Sequence, residues 1–125
     1  WVLGTLQGSD AAPELWLGIT CILLGAISKK SCGICFCNPK NTRSVSRVAE
    51  TYVDDTELML AVDQGDISEL AAEMQVIAQH WEQLFYTTGG ALALEKCFYK
   101  AFDWNFVNDQ YVLKTKDDLM GLDSI

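Results

Sequence analysis

The stretch 15–27 constrains this chain most. Leu15, Leu17, Ile19, Ile22, Leu23, Leu24 and Ile27 follow one another with only Gly18, Thr20 and Gly25 as interruptions, and the first charges come at Lys29 and Lys30. A helix that is apolar on nearly every face has to be enclosed by other protein or by lipid. The run is shorter than the ~20 residues a bilayer core requires. Asp10 and Glu14 precede it where a secretory signal would carry Lys or Arg. The sequence therefore predicts a buried helix near 13–28 and no membrane partner. Ser9 or Asp10 serves as its N-cap, Pro13 sits in the first turn where a missing N–H is harmless, and Glu14 complements the positive end of the dipole.

The remainder alternates between hairpin signals and one further helix. Residues 32–37 and 43–53 read as strands joined by the turn Asn38-Pro39-Lys40-Asn41. Residues 58–62 form another apolar strand, so that Asp54-Asp55 falls at the tip of a second hairpin. From Ile67 through Leu70, Met74, Ile77, Ala78, Trp81, Leu84 and Phe85 the apolar spacing of three and four predicts a helix over 66–88, capped by Asp66 and ended by Gly89-Gly90. Strands are expected at 91–94, 97–104 and 111–114, with a short extended segment at 2–6. The fold class is α+β: an antiparallel sheet with helices packed on one face. One domain spans 1–115, and 116–125 forms a C-terminal tail without strong pattern.

Half of the 125 residues are hydrophobic, which excludes disorder along the whole chain. The net charge of −8 gives no overall field to attract phosphates or an anionic membrane. Five cysteines, an odd set, fit a reducing, intracellular compartment better than a disulfide framework.

Tyr52-Val53-Asp54-Asp55 carries the chemistry. Two carboxylates a few Å apart repel by about 4 kcal/mol at an effective dielectric near 20, so a fold that keeps both ionised is served by a divalent cation. Hard oxygen donors suit Mg²⁺ or Mn²⁺. The plain alternative is a solvated Asp-Asp turn.

In this setting the chain resembles the reverse transcriptases of retrotransposons and group II introns. Leu6-Gln7-Gly8-Ser9, with Pro13 and an apolar helix beyond, is similar to the family's motif B. Tyr52-Val53-Asp54-Asp55 matches motif C, the Y-x-D-D hairpin. Gly89-Gly90-Ala91-Leu92-Ala93-Leu94-Glu95-Lys96 resembles motif D. The three motifs occur in the family's order across most of the chain, and together they imply a partial polymerase palm subdomain.

The resemblance implies that Asp54 ligates the catalytic Mg²⁺ (or Mn²⁺) ions and that Asp55 supports or shares this role. Tyr52 would lie near the primer's 3′ end, Gln7 and Gly8 near the templating base and incoming nucleotide, and Lys96 near the leaving pyrophosphate. Two metal ions would assist attack of a primer hydroxyl on an α-phosphate. The partners in a full-length parent are a nucleic acid template-primer and a dNTP. The family's motif A, which supplies a further metal-binding Asp, would precede Gln7, and Asp10 and Ala12 stand where many relatives have Pro and Ser. The chain alone is therefore expected to be inactive, with fingers and thumb segments missing. The other expectation is a non-catalytic palm-like remnant or protein-interaction module.

Other constellations have plainer readings. Cys32-x-x-Cys35-x-Cys37 opens like a zinc pattern but lacks the usual second cysteine pair, and buried or semi-buried thiols are expected. His80 has no triad partners and reads as a helix-surface or packing residue. Trp16, Trp81, Phe85, Phe98, Tyr99, Phe102, Trp104 and Phe106 are the aromatics expected in the core.

Overall fold

The computed structural model describes residues 10–53, 55–62 and 66–115; the segment 2–6 and the tail 116–125 lie outside the described residues. Helix α1 (Ala12–Ile27) starts with Pro13 in its first turn. Its N-cap is Ala11, without a side-chain cap, in place of the expected Ser9 or Asp10. Pro13 already removes one of the orphan amide donors that a cap would satisfy. The helix ends at Ser28, whose hydroxyl donates to the Gly25 carbonyl at 3.0 Å.

Helix α2 (Ile67–Thr87) follows the prediction at both ends. The Asp66 carboxylate accepts from the Ser68 amide at 3.3 Å. At the far end Gly89 takes φ +82°, the left-handed conformation that suits a residue without Cβ. Gly90 then passes so close to Phe85 that an added Cβ would meet the ring at 2.4 Å.

The strands are β1 (Ile34–Cys37), β2 (Ser44–Arg47), β3 (Ala49–Tyr52), β4 (Asp55–Leu58), β5 (Trp104–Val107) and β6 (Gln110–Leu113), with a 3₁₀ turn at Leu94–Lys96. The α+β class and the antiparallel pairing agree with the sequence. A continuous sheet does not: among the described residues the strands form three separate two-stranded ladders, β1–β2, β3–β4 and β5–β6.

Val48 explains the first separation. The expected strand 43–53 breaks there, because Val48 turns inward and is buried while β2 on one side of it stays exposed. Its carbonyl accepts from the Met59 amide at 2.8 Å, which extends the β3–β4 ladder by one step. The strand expected at 58–62 begins and ends earlier, at Asp55 and Leu58. Tyr52 pairs directly with Asp55, so the return strand starts at the second acid.

The strands expected at 91–94 and 97–104 are irregular backbone and a 3₁₀ turn instead. Leu92 nevertheless packs against the core.

The core is small. Leu23 and Ile27 from α1, Ile77 and Trp81 from α2, and Val48 from the strand corner are buried, with Ile19, Leu24, Ala49, Leu58, Leu60, Leu84, Phe85 and Leu92 packed around them. Thr20, Leu23 and Ile27 form the buried stripe of α1, at the three- and four-residue spacing of one helix face. The expectation that α1 is enclosed on all sides is not met: Leu15, Leu17 and Ile22 are 57%, 64% and 73% exposed. α2 and the β3–β4 hairpin cover only one side of the helix. No helix among the described residues is long and apolar enough to cross a membrane.

Of the aromatics expected inside, Trp81 is buried and Trp16 and Phe85 are half-buried, whereas Phe98, Tyr99, Phe102, Trp104 and Phe106 are exposed. The β5–β6 hairpin holds its aromatics against one another, Phe102 stacked on Trp104 and Phe106 tilted against Tyr111.

Candidate functional site

The tip of the β3–β4 hairpin is built by alternation. Ala49 and Thr51 on β3, and Thr56 and Leu58 on β4, turn their half-buried side chains toward the helices. Glu50 and Tyr52, with Asp55 and Glu57 opposite them, lie on the outer face, as the two-residue period of a strand requires. Glu50 faces Glu57 across the ladder, a like-charge pair that costs stability. The Arg47 guanidinium meets Glu50 at 2.5 Å and offsets it.

Tyr52 with Asp55 is the last pair of the ladder, and Val53 follows Tyr52 directly. Val53 has φ +57°. A positive φ is the hallmark of tight hairpin loops, which use Gly, Asn or Asp for it. A β-branched residue in that conformation is strained.

The tip is tied to the first helix. The Trp16 indole N–H donates to the Val53 carbonyl at 2.5 Å. Trp16 in turn packs edge-on against Phe85 of α2, with ring centroids 5.8 Å apart, and Phe85 lies against the buried Trp81. The first turns of α1, the end of α2 and the hairpin tip thus meet through one indole.

Of the six site residues expected from the sequence, Tyr52 and Asp55 are brought together as the closing pair, both exposed, Tyr52 to 80%. Gln7, Gly8 and Asp54 lie outside the described residues. Lys96 ends the 3₁₀ turn after α2 and is exposed. Among the described residues no hydrogen bond or ion pair joins it to Tyr52 or Asp55.

Asp55 offers a hard oxygen donor of the kind Mg²⁺ or Mn²⁺ accepts. Among the described residues no set of three His, Cys, Asp or Glu side chains converges on one point. A cation at this tip would take the rest of its shell from water or from phosphate oxygens, as Mg²⁺ commonly does.

Sequence reasoning missed Trp16 and Val53. An indole one turn into an apolar helix looks like any other core aromatic, and nothing in the residue order announces its bond to a loop 37 positions away. The left-handed Val53 has no signature either, because valine argues for extended backbone.

No family model, curated protein or solved structure matches this chain.

Proposed function

We propose that the chain is part of the palm of an RNA-directed DNA polymerase, in which Asp54 and Asp55 hold Mg²⁺ or Mn²⁺ for nucleotidyl transfer. The observation that carries this reading is the Trp16 to Val53 hydrogen bond. It joins the helix that follows the Gln7-Gly8-Ser9 segment to the Tyr52 to Asp55 turn, the two motifs that a polymerase palm needs side by side. The strained Val53 supports it further, since backbone strain concentrates at functional loops.

The bound cation would neutralise charge on the phosphates. Asp54 and Asp55 hold that cation at a turn whose shape the α1 tether fixes. Tyr52, on the same face as Asp55, presents an exposed ring beside it. Lys96 stands at the exit of α2 as a cation for a departing pyrophosphate. The 125-residue chain by itself does not synthesise DNA in this reading, because two neighbouring carboxylates make only part of a two-metal cage.

The second reading is a palm-like remnant or interaction module without nucleotide chemistry. The net charge of −8 favours it, since a protein that grips two strands needs clustered Lys or Arg.

Manganese distinguishes the two. In the ¹⁵N-labelled chain, Mn²⁺ should broaden the amide signals of Val53 and Asp55 selectively, with Mg²⁺ competing and the Asp54→Asn, Asp55→Asn double variant abolishing the effect. Absence of broadening at the tip, or broadening that survives the double variant, refutes the polymerase reading and leaves the remnant. Template-dependent, Asp54-dependent primer extension by the chain alone would overturn the expected inactivity.

A further inference from the structure

The outward face of α1 is built as regularly as its buried one. Thr20, Leu23 and Ile27 turn one side of the helix to the core, and on the opposite side lie Leu15, Gly18, Ile22 and Gly25, all four exposed. Their spacing of three, four and three residues puts them on a single uncharged stripe.

The two glycines of that stripe serve no contact of their own chain. Glycine inside a helix costs stability relative to alanine and is useful where another backbone comes close. Among the described residues nothing lies within 4 Å of a Cβ built on Gly18 or on Gly25. Both therefore leave open notches, each about one helical turn from the exposed knob of Leu15 or Ile22.

The register of the stripe shows what fits those notches. When two copies of α1 lie antiparallel about a two-fold axis at residue 20, Leu15 of each faces Gly25 of the other, and Ile22 faces Gly18. Every layer of contact then sets a knob against a notch. Parallel pairing, or an antiparallel shift by one layer, sets large on large and glycine on glycine.

Charge at the helix ends selects the same direction. Asp10 and Glu14 flank the start of α1 and Lys29 and Lys30 its end, and among the described residues none of the four is in an ion pair. Antiparallel pairing brings the acidic end of one copy beside the basic end of the other, which fixes orientation more than it adds affinity. These four charges cancel, so the net charge of −8 is carried by the rest of the chain.

We propose that α1 docks antiparallel on α1 of a second copy of this chain, with Leu15 and Ile22 of each copy seated on Gly25 and Gly18 of the other. The face lies away from Trp16 and the hairpin tip, so the pairing does not depend on the polymerase reading. The 16 residues of α1 span about 24 Å, and a strip of that length ~10 Å wide covers roughly 240 Å², below the ~800 Å² per partner of a stable interface. The dimer is therefore reversible. Cys21, exposed beside the stripe, is one residue from the axis; the two copies of it share one flank, about 3 Å apart along the helices.

Sedimentation of the full chain in reductant, from micromolar to millimolar concentration, reads the association, and a monomer–dimer equilibrium is the expected result. Gly18→Leu fills the notch and should weaken the dimer about tenfold or more. Its own chain has room for the added side chain, so circular dichroism should show the helix retained. Gly18→Ile combined with Ile22→Gly exchanges knob and notch and should restore the dimer. A second arm leaves the stripe intact: with Cys32→Ser, Cys35→Ser, Cys37→Ser and Cys97→Ser in place, a short bis-maleimide should join Cys21 to Cys21 of the second copy. A chain that stays monomeric, as it would if another segment or another protein covered the face, overturns the proposal. So do open-ended aggregation, a Gly18→Leu dimer of unchanged strength, a folded exchange variant that stays monomeric, or a dimer without the Cys21 crosslink.

Discussion

The left-handed Val53 can be tested by comparing two truncations of the same side chain. Val53→Gly and Val53→Ala differ by a single methyl group at a residue that is 66% exposed, so the lost contacts nearly cancel between them. What remains is backbone. Alanine at φ +57° keeps a left-handed penalty of about 1–2 kcal/mol. Glycine escapes that penalty but gives up about 0.5–1 kcal/mol through its freer unfolded chain. The difference leaves Val53→Gly more stable than Val53→Ala by about 0.5–1 kcal/mol. At an ordinary negative φ the order reverses, and glycine loses by a similar amount. Urea denaturation of both variants reads the sign directly, and for a chain of this size a 1 kcal/mol gap moves the melting temperature by roughly 3–5 °C. If Val53→Ala proves equal to or more stable than Val53→Gly, the loop is not strained and the tip loses one of its two supports as a functional corner.

Three further outcomes follow from the same geometry. Trp16→Phe keeps an aromatic ring near Phe85 but removes the donor to the Val53 carbonyl; at this half-buried site it should cost about 0.5–1 kcal/mol and speed amide exchange at 53 and 55, and unchanged exchange would dissolve the tether. Thr20 is buried on α1 with a hydroxyl that has no hydrogen-bond partner among the described residues, so Thr20→Val should stabilise by about 1 kcal/mol, and a loss of stability would reveal a hidden partner. The Ser68 hydrogen bond, chiefly, holds the Asp66 carboxyl below its ordinary value; its contribution is fully present above the unfolded pKa of about 3.9 and is lost as pH falls through the lower folded value. Asp66→Asn, which keeps a capping oxygen, should therefore flatten that part of the acid unfolding curve, and an identical acid limb in both proteins would contradict the cap.

What the residue order revealed depended on how local the signal was. Both helices could be read because their apolar spacing and end signals lie within one element, Asp66 and Gly89 among them. The Asn38 turn was legible for the same reason, since Asn38 Oδ1 satisfies amides only four and five residues on. Of the β5–β6 hairpin only the return strand was, expected at 111–114 and found at Gln110–Leu113. Its loop is Asn108-Asp109, with φ of 51° and 59°, a left-handed pair without the glycine that usually marks such a turn. Phe98 and Phe102 favour strands by type, yet among the described residues they belong to no strand ladder, and strand propensity without a partner decides little. The exposure of Cys35 and Cys37, expected as buried or semi-buried thiols, was hidden likewise, because the break at Val48 leaves the β1–β2 ladder separate from β3–β4. At the candidate site the sequence located the corner at Tyr52 to Asp55 but could not show Trp16 holding it.

The way that corner is held bears on whether it is merely a solvated turn. An acid pair that served only to reverse the chain would be expected to take Gly or Asn at its left-handed position, where the backbone would rest without strain. Here a valine occupies it, and the compensation comes from outside the loop. The Val53 carbonyl is held by Trp16, Trp16 is braced by Phe85, and Phe85 leans on the buried Trp81 and on Gly90, which has no side chain to push the ring away. A core with five buried apolar residues among those described thus spends one of its contact chains on the backbone of the exposed Val53. On the outer face Arg47 offsets Glu50, while Asp55 and Glu57 have no cationic partner among the described residues, so negative potential gathers at the end of the hairpin. In the proposed reading a cation at this supported corner would offset those carboxylates, and the stability given up to hold Val53 left-handed would then have a counterpart.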